Sequence, residues 1–168
     1  RIVAGYVPHL NAHCGYYNRG LTLKEADDSP WRHVAIKIDS RYLEHTLTRD
    51  QVLQDKHFHK AKKLMTQLVE KQLVTQLSTS LQQAARRYQG APEHYEALCQ
   101  AALYHMQYND ETDALINAKI LPSLYGEPIS LKEAHRLASK HSLFWCTSRS
   151  HLSDALIESM TLICCTPN

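Results

Sequence analysis

The spacing of apolar positions along this chain changes character near residue 48. Before it, apolar residues come in short β-branched runs. "RIVAGYV" (1–7) and "HVAIKID" (33–39) have the length and content of strands. Between them "NAHCGYYNRG" is rich in turn formers, and "TLKEADD" reads as a helical turn with Thr22 and Glu25 at capping-box spacing. From Thr48 the period becomes helical. Leu53, Ala61, Leu64, Met65, Leu68, Leu73, Leu77, Leu81, Ala85 and Tyr88 recur at mostly three- and four-residue steps. That spacing predicts one very long helix or two, opened by the capping box of Thr48 and Gln51 and weakened at residues 78–80, where Ser and Thr hydroxyls compete for backbone hydrogen bonds. Arg86 and Arg87 suit a helix C-terminus, and Gly90 is a stop.

A further helix is predicted from Pro92, burying Tyr95, Leu98, Cys99, Ala102 and Met106. "YNDETD" ends it and caps a short helix carrying Leu115 and Ala118, which must stop or kink before Pro122. Ser130 and Glu133 make another capping box. Leu131, Ala134, Ala138, His141 and Trp145 would line one face of the next helix, and Leu152, Leu156, Met160 and Ile163 that of the last. The expected fold is therefore mainly α: a bundle of five or six helices over 48–168, with a small strand-containing segment, 1–47, packed on it as one compact domain.

Composition agrees with a folded object. Hydrophobic residues make up 43% and charged residues 21%, against the low hydrophobicity and high net charge of disordered chains. A formal net charge of +2 is too mild to point to nucleic acid. The five cysteines are odd in number and lack the spacing of a secreted disulfide framework, so a reducing, cytoplasmic setting is expected. No apolar run approaches the ~20 residues of a membrane-spanning helix. The start, without a methionine or a signal-peptide pattern, reads as that of an excised or processed fragment.

Candidate chemistry is sparse. "VAIK" matches the lysine-bearing strand of protein kinases, but the glycine-rich loop, the catalytic-loop aspartate and asparagine and the Asp-Phe-Gly are absent, so Lys37 reads as a strand residue reaching solvent. Cys14, beside Gly15, with His33 as base would supply the nucleophile and base of a cysteine-dependent hydrolase or transferase. Asp39 is roughly 20 Å from His33 along an extended strand, so Asn11 or Asn18 would have to orient the imidazole. For a metal, His9, His13 and Cys14, the pair His57 and His59, and the adjacent Cys164 and Cys165 all have poor spacing, and no metal or other cofactor is expected.

Charge is most concentrated in "KHFHKAKK", where Lys56, Lys60 and Lys63 share a helical face beside Lys62 and His59. This face suits an acidic surface. Tyr104 and Tyr108, in "YHMQYND" at a helix end, are candidates for contact with another protein. The functional expectation is a helical protein–protein interaction module whose partner is another protein or a second copy of itself, with the thiol enzyme as the alternative.

Overall fold

The computed structural model describes residues 1–7, 11–48, 51–108 and 112–164. It is 44% helical and 24% strand, with eight strands in three sheets, so the mainly α bundle is overturned in favour of a mixed architecture. The chain divides into two compact units. Unit 1 is Arg1–Val74 with Leu103–Glu111, and unit 2 is Thr75–Ala102 with Thr112–Asn168.

Unit 1 is built on a four-stranded sheet of order β1-β4-β2-β3: β1 (Ile2–Tyr6), β2 (Cys14–Asn18), β3 (Leu21–Ala26) and β4 (Val34–Asp39). The outer pairs β1–β4 and β2–β3 are antiparallel, and the central pair β2–β4 is parallel. β1 and β4 lie where the β-branched runs predicted them. β2 and β3 replace the expected irregular stretch and helical turn. Asn18 pairs with Leu21 across Arg19 and Gly20, whose φ of 50° and 83° form the two-residue link with both central residues left-handed that suits a twisted hairpin. Within β3 the capping pattern gives way to pairing with β2, with Leu23 buried and Tyr16 and Gly15 aligned with Lys24 and Glu25.

One face of this sheet carries Cys14, Val34, Ile36 and Ile38 into a core completed by Leu43, Val52, Met65, Val69 and Leu73. Ile36 is fully buried, which removes an apolar side chain worth about 1.5–3 kcal/mol from water. The helical residues of that core come from α1 (Lys56–Gln67) and a π-helical turn, Leu68–Leu73. Asp55 caps α1, its Oδ1 accepting from the backbone N–H groups of His57 and Phe58, each at 2.9 Å. The last turn of α3 (Pro92–Tyr108), from Leu103, also belongs to unit 1. There the ring of Tyr104 stacks on His33 at 3.6 Å between centroids, and buried His105 shares a 3.0 Å hydrogen bond through Nδ1 with the Tyr6 hydroxyl.

The helix break expected at residues 78–80 does not occur. α2 (Val74–Arg86) runs through them, because the Ser78 hydroxyl donates to Ala114 O (2.9 Å) and that of Thr79 to Thr75 O (3.0 Å), leaving the helical ladder intact. The irregularity lies at the π turn instead. In unit 2 the chain stops after α2 in a 3-10 turn, Tyr88–Gly90, and restarts at Pro92 as predicted. Tyr95 is buried and its hydroxyl donates to Ile120 O at 2.9 Å.

The short helix α4 (Asp113–Ile116) is followed by the antiparallel pair β5 (Lys119–Leu121) and β6 (Ile129–Ser130). Ser130 caps α5 (Leu131–Ala138), accepting from Glu133 N–H at 3.1 Å, the spacing read from sequence. The two helices expected beyond this point are each part helix and part strand. His141, with φ 55°, turns the chain out of α5 into β7 (Leu143–Cys146), and α6 (His151–Leu156) crosses to β8 (Thr161–Cys164), parallel to β7. "LFWC" and "TLIC" are aromatic and β-branched sequences that gain more from pairing with each other than from extending the helices before them. Among the described residues no helix is long and apolar enough to cross a membrane.

Candidate functional site

α1 combines four lysines and two histidines with no acidic residue. Lys56, Lys60 and Lys63 rise along one face at four- and three-residue steps and are exposed, with Lys62 and His59 beside them. Among the described residues no ion pair engages any of these lysines; the carboxylates that do pair lie elsewhere, as in Arg86–Glu127 (3.4 Å) and Lys24–Asp28 (3.9 Å). Lys56 also sits in the first turn, where the helix dipole is positive and a cation costs about 0.3–1 kcal/mol. The helix thus holds positive charge that its own fold does not neutralise.

Beside this face lies a cleft of about 430 Å³. Ile2 and Ile38 from the sheet and Ala61 and Leu64 from α1 form an apolar lining, while Arg1, Tyr42, His57 and Lys60 supply polar and cationic groups, with Asp39 as its one carboxylate. Tyr42 stacks on His57 (5.1 Å, 14°), and Arg41 lies over the Tyr42 ring at 4.8 Å while donating to its hydroxyl at 2.6 Å. An anionic group with an apolar neighbour fits such a lining. Lys60, named from the sequence, lines this cleft with His57, which the sequence offered only as a metal candidate, and with Tyr42, which it did not single out because it comes from a separate segment.

Cys14 and His33 are not brought together. Cys14 is 3% exposed, aligned with Ile36 in the β2–β4 ladder, and faces the core. Burial pushes its thiol above the ordinary 9.0, with a hydrogen bond to Tyr16 only partly opposing this. His33 precedes β4, roughly 10 Å upstream of Ile36 by strand rise. It holds a φ of 59° while Nδ1–H donates to Val7 O at 3.3 Å and its ring is covered by Tyr104. A thiol nucleophile needs access and a lowered pKa, and Cys14 has neither. Asn18 does not orient the imidazole: its amide donates to Leu43 O at 2.8 Å.

Tyr104 is therefore engaged within unit 1. Tyr108 lies 5.9 Å from His33, under the Arg32 guanidinium at 4.8 Å, and is 37% exposed. Lys37 points to the open sheet face, 5.9 Å from the Tyr17 ring, as its strand reading implied. Of the metal candidates, His9 and Cys165 lie outside the described residues. His13 faces Glu25 (3.9 Å) and Asp27 (4.0 Å), and no group of His, Cys, Asp and Glu among the described residues is arranged to hold a metal ion. No protein-family model matches the chain, and no curated protein matches it significantly.

Proposed function

We propose that unit 1 is a protein-binding module that docks an acidic partner surface on the lysine face of α1 and the cleft beside it. The observation that carries this reading is the uncompensated charge of α1: exposed lysines at 56, 60, 62 and 63, none in an ion pair among the described residues, on a helix without an acidic residue. A solvated surface helix ordinarily intersperses both signs, and opposite charges three or four residues apart stabilise it. An acidic partner supplies the missing sign, and the apolar lining of the cleft supplies the contact that makes the complex more than electrostatic. A reducing intracellular setting accords with Cys14, Cys99 and Cys146 being free thiols.

The test is anisotropy of a fluorescein-labelled decaglutamate peptide against the wild type and a Lys56→Glu, Lys60→Glu, Lys63→Glu triple variant. Exposed ion pairs contribute about 0.2–1 kcal/mol each, so losing three weakens binding roughly 3- to 160-fold. Reversal of Lys119 and Lys132, which are exposed in unit 2, should leave the affinity unchanged. Equal affinity of the α1 variant and the wild type would remove the proposal.

A further inference from the structure

We propose that the free edge of β7 in unit 2 takes up an extended acidic peptide as a third strand. Among the described residues β7 pairs only with β8, in a two-stranded parallel sheet whose other edge is taken by an antiparallel bridge from Ile163 of β8 to Ser123. Such pairs normally occur inside larger covered sheets. The direction of the unused groups follows from one bond: Thr161 N–H donates to Ser142 O at 2.9 Å, so Ser142, Phe144 and Cys146 turn their backbone groups toward β8. By alternation, Leu143 and Trp145 present theirs to the open edge.

This edge lacks the devices that keep natural edges solitary. "LFWC" has no charge, proline or glycine, and its pairing with β8 runs without a bulge. Phe144 and Trp145, which alternate between the two faces, are 42% and 69% exposed. An added strand would cover both while its main chain bonds to Leu143 and Trp145.

Charge selects the occupant. Residues 137–151 contain Lys140 and Arg149 with His141 and His151, and no carboxylate, while Arg136 just before them pairs with Glu133 at 3.7 Å. Lys140 and Arg149 stand exposed on either side of the strand in sequence, and Arg149 is held over the Tyr125 ring at 4.5 Å. A second copy would set these cations against their own kind, whereas an acidic peptide meets opposite charge on both sides of the apolar strand. The inference rests on unit 2 and stands apart from the lysine face of α1.

The test uses the full chain and a fluorescein-labelled decapeptide of alternating Val and Glu, with an alternating Val and Lys peptide as control. The Val–Glu peptide should bind at least tenfold more tightly than the control. Trp145→Pro, which removes an outward N–H, and Trp145→Ala, which removes only the side chain, should each weaken it, the proline by tenfold or more. N-methylation of alternate peptide residues along one edge should abolish binding to the wild type, which keeps the main-chain requirement testable if the proline variant does not fold. Lys60→Glu with Lys63→Glu should change nothing. The proposal is overturned by equal binding of the two peptides, or by full affinity in both Trp145 variants. It is equally overturned by affinity that vanishes with the α1 reversal, by a dimer at this edge that excludes the peptide, or by an oligodeoxythymidine that binds there in the peptide's place.

Discussion

Alkylation of Cys14 by iodoacetamide, followed residue by residue from pH 5 to 9, separates a core thiol from an activated one. Two factors slow it. A thiol at its ordinary value of 9.0 is about 1% thiolate at pH 7, and burial pushes Cys14 above that value, so its reactive fraction is smaller still. Access is the larger factor. Cys14 lies in β2 between β3 and β4, against Val34 and Ile36, which are 1% and 0% exposed, so reagent must wait for an opening close to global unfolding. At a minimum of about 5 kcal/mol for that opening, the rate falls by at least ~10³ relative to the same cysteine in the urea-unfolded chain. The expected profile is a slow rate climbing about tenfold per pH unit with no plateau below pH 9, with half-buried Cys146 reacting sooner. A plateau below pH 7, or a rate that drops on His33→Ala, would refute the reasoning and restore the thiol enzyme.

The hairpin and the titrating core give two further tests. Arg19→Asn places at φ 50° a residue that tolerates the left-handed region, before a glycine that already occupies it; stability should rise by about 0.5–1 kcal/mol, read as a melting temperature about 1–4 °C higher, and an unchanged or lower value counts against the two-residue turn. Cys14, Cys99, Tyr6 and Tyr16 all ionise less readily in the fold than in the open chain, each chiefly through burial. The unfolded state therefore releases protons first, and the urea midpoint should hold below the ordinary thiol value of 9.0 and fall as pH rises above it. A midpoint that stays level past that value would contradict the burial of these groups.

Elements were legible where the local signal and the tertiary outcome agree. β1 and β4 carry β-branched runs, Gly90 and Pro92 punctuate the helices, and Ser130 caps α5 by the residue spacing that the sequence displays. The β2–β3 hairpin was hidden because Cys14-Gly15 and Tyr16-Tyr17 do not alternate in polarity, and the ladder bulges between the two tyrosines. β7 and β8 were hidden differently. Leu131, Ala134 and Ala138 lie in α5, and His141 and Trp145 continue their helical spacing by coincidence, while the pairing that decides β7 joins residues separated by α6. The lysine face needed only periodicity and was visible; the cleft beside it needed Arg41, Tyr42, His57 and β-sheet residues to meet, which no local pattern encodes.

The two proposed surfaces draw on different physics, and ionic strength separates them. On the α1 face the recognising groups are exposed ammonium ions, whose attraction is damped once salt brings the Debye length to about 8–10 Å. At β7 the groups are backbone N–H and C=O of Leu143 and Trp145 with the indole of Trp145, so salt reaches only the flanking Lys140 and Arg149. Raising salt should therefore weaken decaglutamate more steeply than the Val–Glu peptide. A common steep slope would mean that both peptides report the same cationic surface, and the strand edge would then have no occupant of its own.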